Sequence, residues 1–162
     1  MRGHWEENQE RDFMIIIKKI LAVVILIVLA GFVSCKPDES DDEIPYVPFA
    51  DININLGLPE FFPLQASGGY KLINEGGVKG IILYHHPGGE YYAFERNCSY
   101  HPNDACSTVD VDFTGVRMTD SCCGSSFNFE GNPVNGPAWR PLRRYVTIHS
   151  ANQVTITSDI VE

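Results

Sequence analysis

Two loops and the segment after them decide how this chain is read. The first loop is Asn97-Cys98-Ser99-Tyr100-His101-Pro102-Asn103-Asp104-Ala105-Cys106. The second is Asp120-Ser121-Cys122-Cys123-Gly124-Ser125-Ser126-Phe127, and the later segment is Gly136-Pro137-Ala138-Trp139-Arg140-Pro141-Leu142. Gly, Pro, Asn and Asp crowd these stretches and mark them as turns rather than regular elements. Four cysteines fall within them. Neighbouring Cys122 and Cys123 are poor mutual partners because the ring they would close is strained. Two pairings remain: Cys106–Cys122 with Cys98–Cys123, or the crossed alternative.

The flanking sequence is rich in short β patterns. Ile52, Ile54 and Leu56 alternate with polar residues, as a strand with one buried face requires. Ile81 to His85 and Tyr91 to Glu95 are β-branched and aromatic runs, and Pro87-Gly88-Gly89 between them supplies a hairpin turn. Val109, Val111 and Phe113 alternate again. Val116 to Thr119, Ser126 to Phe129, Tyr145 to His149 and Val154 to Ile156 read as further strands. No helical period is sustained after residue 45, so residues 45–162 form an all-β antiparallel sandwich.

These loops resemble those of the Rieske domain family, which carries C-x-H-x-G-C and C-x-C-H-G-S-x-F followed by a Gly-Pro-Ala segment. The resemblance runs from about Tyr91 to Ile148, and its most specific parts are Cys123 to Phe127 and Gly136 to Ala138. It implies a Rieske-like sandwich with a small cysteine-loop, cluster-binding subdomain. In that family one Cys and one His from each loop hold a [2Fe-2S] cluster, two Cys on one iron and two His on the other. In one branch two further cysteines tie the loops together by a disulfide.

The departures fall on the ligands. Alignment on Gly124-Ser125 puts Cys123 at the second histidine position and Asp120 at the second ligating cysteine. In the first loop Cys98 keeps the cysteine position, Tyr100 falls on the histidine, and His101 is one residue late. Cys106 and Cys122 match the family's disulfide. A standard high-potential cluster therefore lacks its histidine pair. The resemblance selects Cys106–Cys122 with Cys98–Cys123, a disulfide scaffold with no catalytic residue, no metal and no cofactor. In the alternative reading Cys98, His101, Asp120 and Cys123 hold an atypical [2Fe-2S] cluster, for electron transfer to a redox partner. In a third they hold structural Zn²⁺, whose tetrahedral sites accept mixed S, N and O donors.

The N-terminal part is read separately. Lys18-Lys19 precede an apolar run from Ile20 to Val33, shorter than the roughly 20 residues of a membrane span. A basic region, an apolar region and small residues before a cut make a secretory signal. Ser34-Cys35 resembles the lipobox of bacterial lipoproteins, although Phe32 stands where Leu is usual. The resemblance makes Cys35 the lipidated residue and places the protein in the outer membrane of a Gram-negative bacterium, on its surface or facing the periplasm. Met14 to Ile17 lengthen the apolar stretch, and an uncleaved anchor is the competing reading. Met14 also offers a second start, leaving residues 1–13 as an extension. The organisation expected is thus 1–34 extension and signal, 35–44 lipidated Cys and acidic tether (Asp38-Glu39-Ser40-Asp41-Asp42-Glu43), and 45–162 β domain.

Composition narrows the partners. Twelve Lys+Arg against 21 Asp+Glu give a net charge of -9. Residues 1–34 hold four bases and four acids, so their removal leaves that charge unchanged. Nucleic-acid binding needs a basic surface and is not expected. The partners expected are the membrane, through the lipid, and a protein or redox partner. His85-His86 would point to opposite faces of a strand and so not share an ion. Arg140, Arg143 and Arg144 form a small basic cluster, expected to pair with local acids. Tyr91, Tyr92, Phe94, Tyr100, Phe127, Phe129 and Trp139 are expected to pack the cysteine-loop region.

Overall fold

A computed structural model describes Met14, residues 16–21 and residues 43–161. The chain divides into two compact units, Met1–Asp38 and Glu39–Glu162. In the first, Met14 and residues 16–21 are helical. Among the described residues no helix is long and apolar enough to cross a membrane. Cys35 and the tether up to Asp42 lie outside the described residues, as does most of the apolar run.

The second unit is all-β. Its strands are β1 (Ile52–Asn55), β2 (Tyr70–Ile73), β3 (Ile81–His85), β4 (Tyr91–Glu95), β5 (Val109–Val111), β6 (Met118–Asp120), β7 (Ser126–Phe127), β8 (Pro133–Asn135), β9 (Arg144–Ser150) and β10 (Gln153–Ile160). A six-stranded sheet runs in the order β1-β10-β9-β4-β3-β2, and a four-stranded sheet runs β5-β6-β7-β8. Every pairing between these strands is antiparallel. The expected sandwich with a smaller cysteine-bearing part is therefore the architecture found.

The strand period of two explains the layering. On β3, Ile81 and Leu83 face one way, into a core with Ile54, Tyr91, Ala93 and Val154. Leu64 joins this core from a 3-10 helix, Pro59–Gln65. Ile82 and Phe94 face the other way and pack against Val109, Met118 and Phe127 of the small sheet. Both faces of β3 are thus covered, which is why Ile81 to Tyr84 reads as an unbroken apolar run. Ile81, Ile82 and Leu83 are fully buried, and each such side chain contributes about 1.5–3 kcal/mol.

A buried carboxylate at the end of β4 fixes where the first cysteine loop starts. Glu95 is 0% exposed. Its Oε2 accepts the Val78 N–H (2.8 Å) and the Tyr145 hydroxyl (2.7 Å). Its Oε1 accepts the N–H groups of Lys79 (3.1 Å) and Asn97 (2.9 Å). Four donors on one buried carboxylate hold the loop before β3, strand β9 and the backbone just before Cys98 in one arrangement. Burial and the Glu95 charge both push the Tyr145 hydroxyl well above its ordinary range.

Three local expectations differ from what is observed. Tyr91 packs in the core with Ile81, Leu83 and Leu64, on the opposite face of β4 from the cysteine loops, because the strand period alternates its side chains. Phe113 does not continue the alternation of Val109 and Val111. The chain has already turned at Asp112, whose Oδ1 accepts the Thr114 N–H and whose Oδ2 accepts Arg117 Nε, and Phe113 is 100% exposed at the hairpin tip. Trp139 is 46% exposed, outside the packed aromatic group, with the Arg140 guanidinium over its ring.

Candidate functional site

The first loop leaves β4 through a bridge between Asn97 and Thr108. Arg96 holds its two ends together: its carbonyl accepts the Val109 N–H and its Nε donates to the Val109 carbonyl. Inside the loop, Ser107 Oγ donates to the Tyr100 carbonyl and Ser99 Oγ donates to the Arg140 carbonyl. Cys98 is completely buried, in the core with Ile82, Phe94 and Val109.

The second loop is a tight turn at the end of β6. The Gly124 N–H donates to the Asp120 carbonyl and the Cys122 N–H donates to Asp120 Oδ1 (2.8 Å). Gly124 lies at φ +77°, a left-handed conformation that glycine adopts without strain. The Gly-Pro-Ala segment then packs on this turn. A Cβ on Gly136 would lie 2.5 Å from Ser125 Cα, and Gly136 also sits at φ +88°. The Ala138 N–H donates to Ser125 Oγ (3.0 Å). The most specific residues of the motif are thus those that lock three chain segments around Ser125.

The cysteines meet at the loop tips. Cys106 and Cys122 are disulfide-bonded, which excludes the crossed pairing. Cys98 and Cys123 are free thiols with their sulfurs 3.9 Å apart. The second expected bond is thus not formed in this structure, and the pair stands as an adjacent dithiol. The Cys123 thiol lies 3.1 Å from Ser125 Oγ and 3.4 Å from Asp120 Oδ2. Asp120 is 1% exposed. Burial pushes the Cys98 thiol far above its ordinary range, against an opposing Tyr100 N–H, and Asp120 and Cys123 beside it push further.

Among the described residues, Cys98, Asp120 and Cys123 form the one group of three or more potential ligands, with all donor atoms within 4.8 Å of one another. His101 does not join them. It sits at φ 47° with its ring edge-on to Tyr100 at 4.2 Å. It lines, together with Asp120 and Cys123, a cleft of about 360 Å³. Ser125 is the site residue that sequence reasoning did not single out; its signal was its place in Cys-Gly-Ser.

The other candidates stand apart. His85 stacks on Tyr91 (4.5 Å) and His86 on Tyr92 (4.7 Å), so the pair faces opposite sides as strand geometry requires. Arg143 donates to the carbonyls of Ile44 and Pro45, and Arg144 lies over the Tyr92 ring at 4.7 Å. In place of the acids expected, these two arginines engage backbone and an aromatic face.

Fold and site together define an all-β, two-sheet domain whose smaller sheet presents a disulfide and a buried dithiol–carboxylate group. Among solved structures, the chain is similar to a chain of the complex of reduced oxygenase and oxidized ferredoxin in carbazole 1,9a-dioxygenase. The likeness has 22% identity and a TM-score of 0.42, over 59% of this chain and 86% of that one. No protein-family model matches the chain, and no curated protein does.

Proposed function

We propose that the protein is a lipid-anchored, Rieske-like module that has lost the standard [2Fe-2S] site and acts by binding rather than by catalysis. The lipid on Cys35 holds it to the outer membrane, and the acidic tether spaces the β domain from the surface. The observation that carries this reading is the ligand inventory at the loop tips. The cluster needs four protein donors, two of them imidazoles on one iron. The loop tips bring together two thiols and one carboxylate, while His101 lies outside the group and His85 and His86 flank a distant turn. The Cys106–Cys122 bond supplies the rigidity that two long loops otherwise lack.

The test is iron and acid-labile sulfide analysis of the full-length protein isolated anaerobically, with mass spectrometry of its N-terminus. The expected result is neither element in stoichiometric amount, and a diacylglyceryl-modified Cys35 at the start of the mature chain. Two iron and two sulfide per chain would refute the reading in favour of an electron carrier.

A further inference from the structure

We infer that Cys98, Asp120 and Cys123 form a mononuclear site for one thiophilic, tetrahedral divalent cation, with Zn²⁺ as the ion that fits. The inference rests on the reading that the two-iron cluster is lost, and adds what the remaining donors bind. Two sulfurs about 2.3 Å from a tetrahedral zinc ion stand about 3.8 Å apart, and a thiolate sulfur and a carboxylate oxygen stand about 3.5 Å apart. The observed separations are 3.9 Å for Cys98 Sγ to Cys123 Sγ and 3.4 Å for Cys123 Sγ to Asp120 Oδ2. Two of the three separations thus match zinc spacing, and all three donor atoms lie within 4.8 Å of one another.

Charge points the same way. A buried carboxylate is satisfied by hydrogen-bond donors, as Glu95 is, by a cation, or by a metal. Asp120 is 1% exposed, and none of the ion pairs among the described residues involves it. Its Oδ1 is occupied by the Cys122 N–H, which orients Oδ2 toward Cys123. Such an outer hydrogen bond is what fixes a ligating carboxylate in a metal centre. Three protein donors leave a fourth position for water or an incoming ligand, and Asp120 and Cys123 both reach the wall of the cleft beside them.

The experiment uses the full-length chain with Cys35→Ser, so that Cys98 and Cys123 are its free thiols and the Cys106–Cys122 bond stays intact. The protein is loaded with Zn²⁺, or with Co²⁺ as a spectroscopic probe, and freed of excess metal by gel filtration. The expected result is one zinc per chain, with both thiols shielded from alkylation. The cobalt form should show thiolate charge-transfer and tetrahedral ligand-field bands. Asp120→Asn, which keeps the shape of the side chain, should weaken zinc binding by at least about tenfold, and Cys123→Ser should abolish the charge-transfer band of its own sulfur. Protection of the two thiols is measured on unsubstituted loops and does not depend on any variant folding. Equal alkylation with and without zinc would overturn the inference, as would a cobalt spectrum unchanged by both substitutions. Iron and sulfide in the isolated chain would overturn the cluster-loss reading itself, whereas a chain free of iron that also fails to retain zinc would overturn the zinc site alone.

Discussion

Replacing Glu95 by Gln tests whether this buried carboxylate is what seats the first cysteine loop. Gln keeps the volume, so no cavity opens in the core. Its amide nitrogen must occupy one of the two oxygen positions, and each of those now accepts two donors: Val78 N–H and Tyr145 hydroxyl on one side, Lys79 and Asn97 N–H on the other. The less costly orientation puts the amide nitrogen on the Oε2 side, where the Tyr145 hydroxyl can rotate to accept from it and only the Val78 N–H is left facing a donor. Hydrogen bonds to a charged acceptor contribute about 1.5–3 kcal/mol each, so the loss of one such bond costs about 1.5–3 kcal/mol. That is a large part of a total stability of about 5–15 kcal/mol. Tyr145→Phe removes one of the four bonds and should cost about 1.5–3 kcal/mol. Urea unfolding, followed by tyrosine and tryptophan fluorescence, measures both variants. A loss below about 1 kcal/mol for Glu95→Gln would refute the argument, because it would mean the four donors do not depend on the carboxylate.

Three other expectations concern the site. Gly136→Ala places a Cβ 2.5 Å from Ser125 Cα at a positive φ. It should destabilise the domain by about 2–4 kcal/mol, read as a lowered urea midpoint. Removing the Cys106–Cys122 bond as the double Ala variant frees a loop whose ends are 16 residues apart. The expected cost is about 3 kcal/mol by thermal or urea unfolding. Finally, iodoacetamide on the native, metal-free protein should modify half-buried Cys123 well before Cys98, which is 0% exposed and has a raised thiol. Mass spectrometry of the digest decides the order, and faster labelling of Cys98 would contradict the burial argument.

Much of the fold was legible because the hydrophobic runs and turn residues agree. β3 and β4 match the expected runs end to end, with Pro87-Gly88-Gly89 between them. β2 and β8 were not read. Tyr70–Ile73 carries a lysine and spans four residues, and Pro133–Asn135 opens on a proline, so neither displays a strand pattern by itself. Their place comes from pairing with β3 and β7. The 3-10 helix Pro59–Gln65 contains two prolines and lacks the helical period.

The site divides along similar lines. Cys98, Cys106, Asp120, Cys122 and Cys123 were reachable because loop motifs keep a fixed register against Gly124 and Gly136. The separation of His101 from the group was not, since it follows from the path of the folded loop, on which His101 sits at a positive φ. Glu95 carried no local signal. Its importance comes from donors up to 50 residues away that only the folded chain assembles.

The proposed absence of a [2Fe-2S] cluster is tested most directly by electron paramagnetic resonance of dithionite-reduced membranes from cells overproducing the full-length protein, where no cluster is lost to purification. The account predicts no half-spin iron–sulfur signal above that of membranes lacking the protein. A signal that rises with the amount of protein, and that disappears in Cys98→Ser, would contradict it.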